Sequence, residues 1–245
     1  MRNFIDINVD LGEGFNNECF IMPFISSCNV ACGGHAGDFE TMKKTLFLAK
    51  SHNVRVGAHP GFPDKGNFGR QVMNLSFGQL TESIFEQINS LQNIGQEIGV
   101  EIEYIKPHGA LYHKVCSDVS YSNWFLKFIK ENFPNLKIMG LPNCLLQELC
   151  SANNLSYIKE GFADRVYEDD GNLRSRNLPA SNHEESVLII EQIVDLINGK
   201  VNTYGGETIC FQVDSICFHG DHPGSADRIS FVVNKLLSEG YEIRN

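Results

Sequence analysis

Several common site signatures are missing from this 245-residue chain. No CxxC pair occurs among its eight cysteines, whose spacing is irregular with Cys28 and Cys32 the closest two, which argues against a disulfide framework or a cysteine zinc site. No GxGxxG turn follows a strand, which removes the dinucleotide fingerprint, and the Walker loop and the HExxH helix are absent too. No stretch approaches the ~18 apolar residues that a membrane helix needs. Lys and Arg form no long run and the formal net charge is −10, which argues against nucleic acid or an anionic membrane as partner. The opening MRNFIDINVD carries acids and no apolar core with a cleavage site, so no secretory signal is read and a cytoplasmic location is expected. In that compartment thiols stay reduced, and Cys28, Cys32, Cys210 and Cys217, set in apolar runs, behave as small hydrophobes.

What is present is an ordinary globular composition, 42% apolar and 20% charged, with no linker or composition break to divide it. A single domain over residues 1–245 is expected. Strand-like runs at 4–9, 25–32, 54–58, 102–105, 136–141, 156–159 and 209–218 alternate with helical patterns, and Asp214 is placed to split the last run. Helix signals are local: Ser76 and Gln79 form a capping box with Gly99 as the stop, and Ser181–Glu184 reads as a second box. Residues 167–182, rich in Asp, Asn, Arg and Gly, are longer than an ordinary βα connection and read as a loop covering a site. Seven strand-then-helix units predict an α/β fold, a seven-stranded β/α barrel, with an open doubly wound sheet as the second choice.

Chemistry in such barrels sits at the C-terminal strand ends. Six of the seven predicted ends are polar, and only the fifth, Pro142-Asn143, has no titratable group. The fourth turns from Ile105 directly into Lys106-Pro107-His108-Gly109, where a cation and an imidazole serve no packing purpose. Gathered at one mouth would be Asp10, Glu13, His35, Asp38, His59, Lys106, His108, Asp164, Arg165, His219 and Asp221. Asp38 reads equally as a helix cap, and Arg165 equally as the ion-pair partner of Asp164. His52 and His183 are read as structural, and His113 as lying behind the site. Two chemistries remain open on these residues. Asp10, His59 and His108 suit a divalent metal. Alternatively Lys106 and Arg165 stabilise an oxyanion while Asp10 or His59 acts on a water.

Seven segments in collinear order, NVDLGEGF (8–15), NVACGGHAGD (29–38), VGAHPGFPD (56–64), FGR (68–70), KPHGALY (106–112), FADRVYEDDG (162–171) and HGDHPG (219–224), resemble the LamB/YcsF family. The resemblance spans essentially the whole chain. It implies a seven-stranded barrel related to sugar deacetylases, and a component of ATP-dependent 5-oxoprolinase, which opens the lactam of 5-oxo-L-proline to L-glutamate. ATP enters as co-substrate of a complex in which the B and C subunits are the partners, and a divalent metal stays open. On this reading Asp10, Glu13, His35, His59, Lys106, His108, His219 and Asp221 are the catalytic candidates. Asp38, Arg70, Asp164 and Arg165 are the substrate-binding ones, with Arg70 or Arg165 suited to the substrate carboxylate. The alternatives are a metal-dependent deacetylase or amidohydrolase on the same barrel, and a non-catalytic substrate-binding subunit. The chain departs from the family pattern in a shorter stretch over 16–24, in the form of 177–183, in Gly34 where Phe is common, and in His222 where Thr is common. Gly34 is expected to enlarge a pocket.

Overall fold

The computed structural model describes residues 4–221 and 224–243; His222 lies outside them. Seven parallel strands close into a barrel: β1 (Ile7–Leu11), β2 (Ser27–Ala31), β3 (Arg55–His59), β4 (Ile102–Ile105), β5 (Lys137–Gly140), β6 (Tyr157–Phe162) and β7 (Ser215–Phe218). Each pairs with the next, and β7 pairs with both β6 and β1. The barrel expected from the order of elements is what forms.

Register explains the unusual interior. Pairing Asp10 with Asn29, Asn29 with Gly57 and Gly57 with Tyr104 puts those four positions on one face of the sheet. Pairing Ser215 with Glu160 and Cys217 with Asn8 places those residues on the same face. This is the inward face, so the barrel is lined by polar side chains where branched apolar ones usually fill it. The alternate positions, Ile7, Val9, Val30, Val56, Ile105, Ile138 and Ile216, face outward and are buried under the helices. Strands buried on both sides normally read as continuous apolar runs. Here the polar inner face gives them an alternating pattern.

The helix Phe77–Ile98 begins with the expected capping box, both reciprocal Ser76–Gln79 bonds being made, and stops at Gly99, whose φ is +74°. Three expectations need correction. The run 4–9 is two pieces, because Asp6 is occupied by Arg55 and by the Ser215 hydroxyl. Phe4–Ile5 pairs with Glu242–Ile243 outside the barrel, and β1 carries on through Asp10. The sixth strand extends to Phe162, which brings Glu160 inside. The Ser181–Glu184 box does not form. Its backbone pairs instead with residues 164–166, through Val166 N to Ser181 O and His183 N to Asp164 O, and the helix starts at Ser186. The run 209–218 does divide at Asp214: Thr208–Cys210 pairs with Lys200–Asn202, and β7 begins at Ser215. All eight cysteines are free thiols, and no described helix is long and apolar enough to cross a membrane.

Candidate functional site

Inside the barrel the polar side chains bond across strands. Asn29 donates to Asn8 (2.8 Å) and to Asp10 Oδ1 (2.7 Å), Asn8 donates to Ser215 (2.8 Å), and the Tyr104 hydroxyl donates to Asn29 (2.7 Å). Tyr104 can lie here because its neighbour in β3 is Gly57, where a Cβ would run into the ring. Above this layer the Lys106 ammonium sits 2.8 Å from Asp10 Oδ1 and 2.7 Å from Glu160 Oε1, and it donates to Cys217 Sγ at 3.2 Å. All three charged groups are buried, Lys106 at 2% exposure and Glu160 at 0%. Burial alone would strip the proton from Lys106, but Asp10, Cys217 and Glu160 outweigh it and raise its pKa well above the usual value. Burial would likewise raise Asp10, yet His59 and Lys106 hold its carboxyl well below the usual range.

This charged layer is the floor of a cavity of about 520 Å³ at the C-terminal ends of the strands, the end where barrel sites form. Asp10, Glu13, His59, Arg70, Lys106, His108, Arg165, His219 and Asp221 line it, so nine of the expected residues share one mouth. Phe162 forms another part of the wall, with the Lys106 ammonium 5.4 Å from its ring centre.

On one side Glu13, His35, His59 and His108 each bring a ligand-type atom within 4.8 Å of the others. The loops around them hold the imidazoles in fixed orientations. His108 is the N-cap of the helix Gly109–Ser117 but makes no side-chain cap bond, which leaves both ring nitrogens for other partners. Its Nε2 meets the Phe68 carbonyl at 2.9 Å and its Nδ1 faces His59 Nε2 at 2.9 Å. His59 Nδ1 in turn meets the Lys106 carbonyl at 2.7 Å. His35 is stacked flat against His108, with ring centres 3.6 Å apart and planes 2° from parallel, and its Nε2 is 3.1 Å from Glu13 Oε1. The turn at Gly109 (φ +50°) that aims His108 is glycine-dependent, since a Cβ there would come within 2.8 Å of the Gly69 carbonyl. Burial and the neighbouring imidazoles push His35 and His108 well below their usual pKa. Glu13 is raised well above its own by burial and by Asp10 and Asp221.

On the other side Asp164 grips His219 twice. It accepts the ring Nδ1–H at 2.8 Å on one oxygen and the backbone N–H at 3.0 Å on the other. Burial raises the Asp164 carboxyl, but His219 more than offsets that and takes its pKa down to about 2. With Nδ1 committed as donor, the neutral His219 ring carries its lone pair on Nε2. Arg165 is 4% exposed and has no carboxylate within ion-pair distance among the described residues; its donors go to the Ser181 and Arg174 carbonyls. Burial and Arg176 lower its pKa to about 10, which leaves it cationic at neutral pH.

Three expected residues stand elsewhere. Asp38 is the exposed cap of the helix Phe39–His52, its carboxylate accepting from the backbone and hydroxyl of Thr41, and it does not line the cavity. His35 and Asp164 stand behind the lining as the partners of Glu13 and His219. The expected ion pair of Arg165 with Asp164 does not form, because Asp164 is taken by His219. Gly34 does not enlarge the cavity: the Gln87 amide, which clamps Gly61 N–H and carbonyl, fills the space where its Cβ would be. Conversely, His113 belongs to the wall. The protein atoms packed round it, together with Arg165 and Arg176, bring its pKa down to about 4. Glu160, Lys114, Arg174 and Arg176 were not singled out in the sequence. The last two arrive on the 167–182 excursion, which supplies residues 173–177 to the cavity wall.

Residues 5–245 match the LamB/YcsF family. Among curated proteins, the chain is 35% identical to the A subunit of 5-oxoprolinase from Neisseria meningitidis serogroup C over 240 residues, 98% of each chain. It is 38% identical to the protein of that name from Acinetobacter baylyi, covering 98% of this chain and 97% of the relative. It is 40% identical to the one from Histophilus somni, covering 89% and 88%. Among solved structures, the lactam utilization protein of Thermus thermophilus superposes with a TM-score of 0.90 at 32% identity, covering 100% of this chain and 99% of that one. A family match over the barrel and the mouth alike, with relatives of the same length and the same fold, makes this chain a member of the LamB/YcsF family.

Proposed function

We propose that this chain is the lactam-opening subunit of an ATP-dependent 5-oxoprolinase, acting with partner B and C subunits on 5-oxo-L-proline. The observation that carries this reading is the full-length identity to proteins named as the A subunit of 5-oxoprolinase, together with a cavity that offers what such an opening needs. A five-membered lactam is an unstrained amide, so the reaction is coupled to ATP: the γ-phosphoryl group goes to the lactam oxygen and ADP leaves. Water then adds to the activated carbon. His219 Nε2, held in the right tautomer by Asp164, takes its proton and returns it to the ring nitrogen as the C–N bond breaks. A second water releases phosphate from the acyl phosphate and yields glutamate. Arg165, cationic and with no carboxylate in ion-pair distance among the described residues, receives the substrate carboxylate. Lys106, held at the cavity floor between Asp10 and Glu160, is assigned to the phosphoryl-bearing oxygen, where negative charge develops as phosphate leaves.

The test is glutamate release from 5-oxoproline by the chain together with the B and C subunits, with and without ATP. Release that is indifferent to ATP rejects the reading. The Glu13–His59–His108 cluster favours a second reading, metal-dependent amide hydrolysis without ATP. That reading requires turnover by the chain alone and its loss on chelation.

A further inference from the structure

We infer that Glu13, His59 and His108 form a site for one divalent transition-metal ion, open to the cavity. The hydrogen bonds of the two imidazoles carry the argument. A carbonyl oxygen can only accept, so His59 Nδ1, facing Lys106 O, and His108 Nε2, facing Phe68 O, both bear hydrogen. Two neutral rings oriented this way aim the remaining lone pairs, on His59 Nε2 and His108 Nδ1, at each other across 2.9 Å. Two acceptors at that distance repel unless a cation lies beside them.

Glu13 Oε1 completes the triangle, 3.9 Å from His59 Nε2 and 3.5 Å from His108 Nδ1. Ligands of a four-coordinate ion with bonds of about 2.0–2.1 Å stand about 3.3–3.4 Å apart, so three edges of 2.9, 3.5 and 3.9 Å surround a space of the right size. The backbone carbonyls on the far side of each ring fix the tautomer as outer partners of metal-bound histidines do. All three residues line the cavity, which leaves a coordination position on the substrate side. His35 does not line it. Its ring lies parallel to that of His108, so its nitrogen is out of line with the same ion, and its part is to donate Nε2–H to Glu13 and brace His108. Two imidazoles and a carboxylate select zinc, cobalt, nickel, iron or manganese over magnesium or calcium, which prefer oxygen.

The proposal stands apart from the lactam reading, because it is tested by binding. The purified full chain, stripped with chelator, is titrated with Co²⁺ while visible absorption is followed, and then with Zn²⁺ in competition. One equivalent of Co²⁺ should give the d–d absorption of a low-coordinate site, which Zn²⁺ abolishes and excess Mg²⁺ does not. Glu13→Gln and His108→Asn should each weaken binding at least 100-fold. His35→Gln should weaken it about 10- to 100-fold, as loss of an outer partner does. The control His183→Asn, remote from the cluster and bonded to Gln192, should bind as the wild type does. Thermal melts without metal check that each variant is folded. Absence of stoichiometric binding by the wild type would mean that a proton is shared between the rings and would overturn the proposal. So would binding that Glu13→Gln and His108→Asn leave intact.

Discussion

Replacing Lys106 by methionine removes the charge that two buried acids share and strands one of them. Asp10 keeps a hydrogen bond from Asn29 and has His59 Nε2 at 3.4 Å, so it retains partners. Glu160 has less reserve: it is 0% exposed, neither oxygen makes an aligned hydrogen bond among the described residues although the Tyr112 hydroxyl lies beside it, and Lys106 is its counter-ion. Removing one partner of a buried ion pair costs about 3–5 kcal/mol, and in a chain of this size each kcal/mol moves Tm by about 2–4 °C, so Lys106→Met should melt about 6–20 °C lower. The pH dependence follows from the sign of the shifts. Asp10 has its folded pKa depressed, so its contribution is present above the unfolded value near 4 and is lost as pH falls through the folded one. Lys106 has its folded pKa raised, so its contribution is present below the unfolded value and is lost only as pH climbs through the folded one. The wild type therefore holds the pair's stabilisation across neutral pH, and its lead over Lys106→Met should be widest there and narrow only as pH falls below about 4. The double variant Lys106→Met/Glu160→Gln removes the stranded charge and should recover at least about 2 kcal/mol in a denaturant titration. A single variant within about 1 kcal/mol of the wild type, or a double variant no better than the single, would refute this account of the floor.

Asp164→Asn should lower turnover about 10²- to 10⁴-fold while leaving KM for 5-oxoproline nearly unchanged, because it deprives His219 of the acceptor that sets its tautomer. The same variant should lose a contribution on the order of 2 kcal/mol that the wild type holds above about pH 4 and sheds between about pH 4 and pH 2, read from acid unfolding curves. Arg165→Met should raise KM for 5-oxoproline by about tenfold or more, the worth of a charge-assisted hydrogen bond, in steady-state kinetics of the assembled complex. Gly57→Ala should destabilise by about 1–3 kcal/mol, since its Cβ meets the Tyr104 ring and a packed barrel has no room to yield.

Lys106 also marks where the sequence was readable and where it was not. A strand that turns from Ile105 into Lys-Pro-His-Gly points to a cavity at its end, and the same rule picked out His59, His108, His219 and Asp10, which line that cavity with it. The strand order followed from alternation of elements, and the 167–182 loop from its length. What a strand end cannot show is depth. Asn8, Asn29 and Tyr104 look like the polar half of an ordinary alternating strand, and only register reveals that the alternate face points into the barrel and bonds across it. Glu160 was hidden because the apolar run before it ended too soon, so an interior acid read as the first residue of a loop. Asp38 satisfied two rules at once, strand end and helix cap, and the cap took its carboxylate. A polar strand end therefore locates the mouth, whereas the role of each residue there depends on what lies beneath it. Lys106 is the clearest instance: a cation that the sequence assigns to substrate alone is also the counter-ion on which two buried acids depend, so any loss of turnover in its variants has to be read per folded molecule.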